Sequence, residues 1–200
     1  MNQAIFFDRD GVLNEQPRGK TGNERYVCCV SDFHWLPETI DALRIARSSD
    51  FKLIVITNQA GIAKGYFSLE SYLQIEQRID EELKKAGLYL DATYYCPYHP
   101  SATKEEFRLD SRDRKPETGM LEKAASDHKL DLSRSFLIGD KTSDILCGVR
   151  AGCTTYLVQT GYAGSDKQYV VTPHFIVSNV LEAVNHIIQH HPSEVSTCKL

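Results

Sequence analysis

Near the N-terminus, four apolar residues run directly into an acidic pair, in the stretch Ala4-Ile5-Phe6-Phe7-Asp8-Arg9-Asp10-Gly11. A short apolar run that ends abruptly in polar residues is typical of a strand buried on both faces of a parallel sheet. The pattern recurs where Lys52-Leu53-Ile54-Val55-Ile56 runs into Thr57-Asn58-Gln59. Longer amphipathic stretches lie between such runs, and strands that alternate with helices indicate a parallel α/β fold.

The alternation extends over most of the chain. Strands are predicted at 4–7, 52–56, 93–96, 135–138, 154–158 and 174–177, and helices at 37–48, 69–86, 117–128, 142–151 and 179–189. We therefore predict a three-layer, Rossmann-like parallel sheet with helices on both faces, in one domain over 1–190 with a flexible tail over 191–200. Two long loops, 14–32 and 97–116, interrupt the pattern. Too few residues separate Val12 from the second predicted strand to build a large cap domain.

The composition excludes several classes of protein. The chain has 200 residues, 42% of them hydrophobic, with 27 acidic and 23 basic side chains and a net charge of −4. These values suit one globular domain and argue against a disordered or fibrous chain. No basic cluster suggests nucleic-acid binding, and no apolar run approaches the roughly 20 residues of a membrane span. Because the N-terminus also lacks signal-peptide features, we expect a cytoplasmic protein that binds neither nucleic acid nor a membrane.

Aspartates follow two of the predicted strands, at the edge where parallel sheets bind ligands. Asp8 and Asp10 follow the first strand, and Asp140 follows the fourth. Three carboxyl groups that converge are suitable ligands for Mg²⁺, so we predict that these aspartates hold this ion. Asp144 by itself suits the first turn of the next helix, where a carboxylate favours the helix dipole. Lys115 is a candidate to bind a phosphate, although the segment alone fits a surface lysine equally well.

Four motifs follow one another along the chain: Phe7-Asp8-Arg9-Asp10-Gly11-Val12, Thr57-Asn58-Gln59, Arg114-Lys115-Pro116, and Gly139-Asp140-Lys141 with Asp144. This order resembles the haloacid dehalogenase superfamily of phosphatases over residues 4–160. Within this superfamily the chain is most similar to the heptose 1,7-bisphosphate phosphatases, and this closer resemblance rests on residues 56–65, 94–97, 105–108 and 114–116. The histidinol-phosphate phosphatases share much of the same motif set.

The resemblance implies a mechanism in which Asp8 is the nucleophile that forms an aspartyl-phosphate and Asp10 is the general acid and base. It implies that Thr57 and Lys115 hold the phosphate during transfer. It also implies that the Asp8 carboxylate, the Asp10 backbone carbonyl and Asp140 bind Mg²⁺.

Further positions are implied to contact the substrate, namely Asn58, Gln59, Arg114, Lys141 and Tyr26. Arg114 has a separate physical argument, because its guanidinium fork suits a second phosphate. The basic loop at 16–20 could recognise that phosphate too, or it could be an ordinary solvated loop.

The chain departs from the enzymes it resembles where these commonly carry a zinc loop. Cys96 stands at an expected ligand position, but Tyr98 replaces a histidine, and Ser111 and Asp113 replace two later cysteines. His99 and Asp113 could in principle supply substitute ligands, yet structural zinc needs four well-placed nitrogen or sulfur donors. We therefore predict that no zinc is bound, and that the six cysteines are free thiols or buried side chains rather than disulfides.

The resemblance implies a Mg²⁺-dependent phosphoric monoester hydrolase that removes the C7 phosphate of D-glycero-D-manno-heptose 1,7-bisphosphate. Its partner is then a small phosphorylated sugar, and we expect a monomer or weak oligomer. Two alternatives stay open: hydrolysis of histidinol phosphate by the same chemistry, and a non-catalytic binding protein on the same fold. The intact aspartates argue against the second.

Overall fold

The computed structural model describes residues 1–17 and 26–191. Its strands are β1 (Ala4–Phe7), β2 (Lys52–Asn58), β3 (Ala92–Cys96), β4 (Phe136–Gly139), β5 (Thr154–Val158) and β6 (Phe175–Val177). Its helices are α1 (Thr39–Arg47), α2 (Ala60–Ala63), α3 (Leu69–Lys85), α4 (Gly119–His128), α5 (Thr142–Arg150) and α6 (Val180–His190). Positions 18–20 of the basic loop and 192–200 of the predicted tail lie outside the described residues.

The six described strands form one parallel sheet in the order β3-β2-β1-β4-β5-β6. Alternate residues of β1 point to opposite faces, as the two-residue period of a strand requires. Ile5 and Phe7 belong to a core that includes side chains of α1, α3 and α6. Ala4 and Phe6 belong to a second core with side chains of α4 and α5. The predicted three-layer α/β architecture is confirmed.

Helix α3 shows how local sequence builds an element that the site uses. Tyr72, Ile75, Ile79 and Leu83 recur at helical spacing and are buried. Ser68 caps the N-terminus, since its side chain accepts a hydrogen bond from the backbone N–H of Ser71 at 3.0 Å. The helix therefore lies with one apolar face on the sheet, and this brings its polar residues close to the loop that follows β1.

The predicted strands and helices all occur, with ends within two residues of those expected. The sequence did not predict α2, because its four residues are too few to show a hydrophobic period. The loop that follows β3 packs against this short helix: the backbone N–H groups of Thr103 and Lys104 both donate to the Ala63 carbonyl, at 3.1 and 3.2 Å. The end of α2 and this loop are thereby held side by side.

The described cysteines, 28, 29, 96, 147 and 153, are free thiols as expected. Over the described residues, every helix is too short or too polar to cross a membrane.

Candidate active site

Two strand ends bring aspartates together at the middle of the sheet. Asp8 follows β1 and Asp140 follows β4, and these two strands are neighbours. Asp144 reaches the same place from the first turn of α5. One carboxylate oxygen from each residue lies within 4.8 Å of the other two, and all three side chains are buried. Within 1–17 and 26–191, this is the one such group with metal-binding spacing.

The donor set fits a hard divalent cation. Oδ2 of Asp140 accepts a hydrogen bond from the backbone N–H of Tyr162 at 2.8 Å, whereas the buried Oδ1 has no hydrogen-bond partner among the described residues. Burial, together with the charges of Asp144 and Asp8, raises the pKa of Asp140 well above its usual range. A nearby cation would supply both the missing partner for Oδ1 and the missing positive charge, and Mg²⁺ prefers oxygen ligands.

Two glycines make room for the Asp140 carboxylate. Gly11 has a φ angle of +92° and Gly161 one of +58°, in the region that favours glycine. A Cβ atom at either position would overlap Oδ2 of Asp140. The backbone therefore approaches this carboxylate more closely than any other residue type allows.

Lys115 is buried between two of the carboxylates. Its Nζ lies 2.7 Å from Asp8 Oδ1 and 2.7 Å from Asp144 Oδ1, and it donates to the Ile56 carbonyl at 2.9 Å. Burial alone would lower the pKa of Lys115, but the charges of Asp144 and Asp8 outweigh it and raise this pKa. The ammonium group thus donates to Asp8 and to the Ile56 carbonyl and is paired with the charge of Asp144, so Lys115 can act on a phosphate mainly through its positive charge.

Asn58 holds the backbone that carries Lys115. Its Oδ1 accepts from the Lys115 N–H at 3.1 Å, and its Nδ2 donates to the Lys115 carbonyl at 3.0 Å. The predicted contact of Asn58 with substrate stays a prediction, because its observed bonds favour a positioning role.

Asp144 has two partners at once. Its Oδ2 accepts a hydrogen bond from the Lys141 backbone N–H at 3.0 Å, and this bond caps the start of α5. This confirms the predicted cap, but the sequence did not reveal the ion pair with Lys115. The one sequence signal that Asp144 lies near the carboxylate centre was its spacing from Asp140, which is about one helical turn.

Asp10 is held by three side chains. Nη2 of Arg9 lies 3.1 Å from each carboxylate oxygen, Asn14 Nδ2 donates to Oδ1 at 3.0 Å, and Gln59 Nε2 donates to Oδ2 at 3.0 Å. Burial would raise the pKa of Asp10, but the Arg9 charge and these hydrogen bonds outweigh it and lower this pKa. Asp10 is consequently ionised at neutral pH when no substrate is bound.

Arg9 is the functional residue that the sequence reasoning missed. Its side chain is 2% exposed, its Nη1 lies 2.9 Å from Oε1 of Glu76 on α3, and its guanidinium lies over the ring of Tyr72. The only sequence signal was an arginine between two aspartates at a buried strand end. Its partner on α3 could not be found without the packing of that helix.

Thr57 and Gln59 are buried side by side after β2. Thr57 Oγ1 accepts a hydrogen bond from Gln59 Nε2 at 2.9 Å, which leaves the hydroxyl proton available for a phosphate. Both amide protons of Gln59 are used, one on Asp10 and one on Thr57. The predicted contact of Gln59 with substrate therefore also stays a prediction, and its bonds again favour positioning.

A cavity of about 440 Å³ opens above these residues. The predicted site residues that line it are Asp8, Asp10, Tyr26, Thr57, Asn58, Arg114, Lys115 and Lys141. Gln59 and Asp140 lie behind this lining. Lys141 contributes positive charge that opposes the raised pKa values of Asp8 and Asp140. The wall therefore combines carboxylates with cations, as phosphoryl transfer requires.

The residues at the zinc-loop positions are buried, hydrogen-bonded within the loop or part of the cavity wall. Cys96 is buried, Ser111 Oγ accepts from the Asp113 backbone N–H at 3.1 Å, and His99 lines the cavity. The expectation that no zinc is bound stays a prediction.

The chain is similar to curated phosphatases over most of its length. A family model described as HAD-hydrolase-like matches residues 113–183. The D-glycero-beta-D-manno-heptose-1,7-bisphosphate 7-phosphatase of Haemophilus influenzae is 40% identical over 80% of this chain and 84% of its own length. The D-glycero-alpha-D-manno-heptose-1,7-bisphosphate 7-phosphatase of Photorhabdus laumondii is 35% identical over 94% of this chain and 97% of its own.

Solved structures have the same fold. A crystal structure of the D,D-heptose 1,7-bisphosphate phosphatase of B. bronchiseptica, in complex with magnesium and phosphate, has a TM-score of 0.80 at 25% identity. The match covers 94% of this chain and 98% of that one.

Proposed function

Because this chain belongs to the D-glycero-D-manno-heptose-1,7-bisphosphate 7-phosphatase family of HAD-like hydrolases, we propose that it removes the C7 phosphate of a heptose 1,7-bisphosphate in a Mg²⁺-dependent reaction. The observation that carries the proposal is the convergence of Asp8, Asp140 and Asp144 within 4.8 Å, with an unpartnered Asp140 oxygen behind a cationic cavity. Asp8, Asp140 and the Asp10 carbonyl are the proposed Mg²⁺ ligands. The ion neutralises phosphate charge when bound.

Asp8 is the proposed nucleophile. Its Oδ1 is bound to Lys115, so the lysine fixes the carboxylate and keeps positive charge beside the phosphorus. A carboxylate oxygen of Asp8 attacks phosphorus, an aspartyl-phosphate forms, and the bond between phosphorus and the C7 oxygen breaks. Thr57, whose hydroxyl proton is available, is suited to bind a phosphate oxygen.

Asp10 is the proposed general acid and base. In the first step its proton passes to the leaving C7 oxygen. In the second step its carboxylate takes a proton from water, the water oxygen attacks the aspartyl-phosphate, and inorganic phosphate and Asp8 are released. Since Asp10 is ionised at rest, the negative charge of the incoming phosphate must oppose Arg9 and raise the Asp10 pKa before the first step.

The test is phosphate release from purified protein with Mg²⁺, using both anomers of heptose 1,7-bisphosphate and histidinol phosphate. We expect heptose 1-phosphate as the product, identified by phosphorus NMR, and loss of turnover with EDTA. Asp8→Asn should be folded and inactive. A preference of tenfold or more in kcat/KM for histidinol phosphate would replace the heptose assignment, and an unaffected Asp8→Asn variant would exclude the nucleophile.

We propose a monomer or weak oligomer that acts in the cytoplasm on a small phosphorylated sugar, without nucleic acid or membrane. Light scattering and cell fractionation test these points.

A further inference from the structure

The loop that follows β5 folds over the carboxylate centre. The backbone N–H of Tyr162 donates to Asp140 Oδ2 at 2.8 Å, and the N–H of Gly164 donates to the Asp140 carbonyl at 2.8 Å. Thr160 Oγ1 donates to the Gly11 carbonyl at 2.6 Å. These three hydrogen bonds tie the loop to the backbone around Asp140, and Tyr162 lies between the other two donors in the chain.

The second half of the same loop is bound to the start of α5. Asp166 accepts two hydrogen bonds from Thr142, one from the backbone N–H at 2.9 Å and one from Oγ1 at 2.6 Å. Thr142 Oγ1 in turn accepts from the Tyr169 N–H at 3.2 Å. Both halves of the loop 160–169 are therefore fixed to the segment of chain that carries Lys141.

The backbone of the loop follows a path that its own sequence does not favour. Ala163 has a φ angle of +49° and Lys167 one of +46°, in the left-handed region that residues other than glycine rarely adopt. Such conformations persist when the surrounding structure imposes them, and they are common at active sites. The hydrogen bonds to the centre and to α5 therefore hold the loop in place, and with it the ring of Tyr162.

The ring of Tyr162 lies under the ammonium group of Lys141. Nζ of Lys141 is 4.6 Å from the ring centroid, within the range at which the negative face of an aromatic ring attracts a cation. Lys141 directly follows Asp140 and lines the cavity. Because an aromatic face carries no net charge, it can hold this lysine without neutralising the charge that a phosphate would meet.

The carboxylates of the centre are a competing place for the same ammonium group. The charge of Lys141 interacts with those of Asp8 and Asp140. Asp140 Oδ1 is buried and has no hydrogen-bond partner among the described residues. Lysine has a flexible four-carbon stem, so its ammonium can turn toward such an oxygen. In that position it would compete with Mg²⁺ and lose its direction toward the cavity.

We infer that Tyr162 is a positioning residue for Lys141: its ring holds the ammonium group at the cavity wall, apart from the carboxylates that bind Mg²⁺. The inference rests on the proposed function, in which Lys141 contacts the substrate. Loss of the ring should therefore weaken both substrate use and metal binding, and it should do so only through Lys141.

A double-mutant cycle tests the dependence on Lys141. At saturating Mg²⁺, Tyr162→Leu should lower kcat/KM for heptose 1,7-bisphosphate about fivefold, the loss of one partly buried cation–π contact. Tyr162→Phe keeps the ring and should be close to the wild type. Both substitutions keep the backbone N–H that binds Asp140. In a Lys141→Gln background, Tyr162→Leu should have no further effect. A further fivefold loss in that background, or an equal loss in Tyr162→Phe, overturns the inference.

Tyr89→Leu is the matched control for the loss of a cation–π contact. Arg47 lies over the Tyr89 ring at 4.0 Å, and both residues are outside the cavity lining. This substitution should leave kcat/KM unchanged. If it lowers kcat/KM as much as Tyr162→Leu, the effect at Tyr162 is a general structural one and the inference is wrong.

The Kd for Mg²⁺, measured by calorimetry, separates the two proposals because it requires no turnover. Tyr162→Leu should raise this Kd about threefold, because part of the protein then has Lys141 on the carboxylates, and it should not raise it in the Lys141→Gln background. If this pattern holds but heptose 1,7-bisphosphate is not hydrolysed, the proposed function fails and the positioning role stands. If hydrolysis occurs and Tyr162→Leu changes neither kcat/KM nor the Kd, the positioning role is wrong and the proposed function stands.

Discussion

The guanidinium of Arg9 contacts both carboxylate oxygens of Asp10 through one nitrogen, at 3.1 Å each. Its other terminal nitrogen contacts Glu76, so the arginine connects the loop after β1 to helix α3. The proposed acid and base of the reaction is therefore held in place by a side chain that lies outside the cavity lining. Burial by itself would lower the pKa of Arg9, but the charges of Asp10 and Glu76 outweigh burial and raise this pKa.

Replacing Arg9 should reduce both stability and kcat. In Arg9→Met, two partly buried carboxylates lose their cation, and we expect the free energy of unfolding to fall by about 3 kcal/mol. We also expect kcat to fall more than tenfold, because Asp10 loses its orientation. Urea unfolding and steady-state kinetics measure the two effects. Arg44→Met is the control: this exposed arginine pairs with Asp41, and its loss should cost less than about 1 kcal/mol. Equal effects of the two substitutions would contradict the role assigned to Arg9.

Removing the metal should make stability depend on pH in a defined direction. The raised pKa values of Asp140 and Asp8 mean that the folded, metal-free protein binds protons more tightly than the unfolded chain. Their stabilising contribution is complete below the ordinary aspartate pKa of 3.8 and is lost as pH rises through the raised values. Mg²⁺ binds the ionised carboxylates, so the increase in Tm caused by Mg²⁺ should grow as the pH rises from the ordinary aspartate pKa of 3.8 through the raised values.

Asp140→Asn is the control for this pH effect. The substitution keeps the side-chain shape but removes the charge, so the Mg²⁺-dependent increase in Tm should be lost and activity should fall more than about 100-fold. The lowered pKa of Asp10 contributes equally to the stability of the wild type and of Asp140→Asn, so its effect on Tm cancels when the two are compared. An increase in Tm that is the same at every pH, or that persists in Asp140→Asn, would show that the metal does not bind here.

Adding a methyl group at Gly161 should impair the metal centre. In Gly161→Ala the new Cβ overlaps Asp140 Oδ2, in addition to the cost of a positive φ angle. We expect the Kd for Mg²⁺, measured by calorimetry, to rise at least tenfold. Gly152→Ala shares the positive φ, at +81°, but its Cβ would meet no atom within 4 Å, so it isolates the backbone cost of about 1 kcal/mol. If both variants bind Mg²⁺ like the wild type, the close approach at Asp140 has no functional importance.

The zinc prediction is tested by metal analysis of protein purified without chelators. We expect far less than one zinc per chain, because Cys96 lacks the nitrogen and sulfur partners that a structural site needs at 98, 111 and 113. One tightly bound zinc per chain would mean that His99 and Asp113 serve as substitute ligands.

Local patterns were enough to derive the architecture. The apolar runs that became β1, β2 and β4 end in polar residues, and the rule that ligands lie beyond the carboxyl ends of parallel strands led to Asp8, Asp10 and Asp140. The cap formed by Asp144 was also predictable, because it depends only on residues within one turn of α5. These features are encoded in a few consecutive positions, where strand and helix periods and capping preferences operate.

The tertiary structure alone decided which side chains meet. Arg9 and Glu76 are 67 positions apart, and Lys115 and Asp8 are 107 apart, so no local period could pair them. The partners of Asn58 and Gln59 were likewise not predictable from sequence. The family resemblance implied that both residues contact substrate, but the Asn58 amide bonds to Lys115 and the Gln59 amide to Asp10 and Thr57. Partner choice among buried polar groups follows from how helices and loops pack on the sheet, because each donor must find an acceptor within about 3 Å once water is excluded.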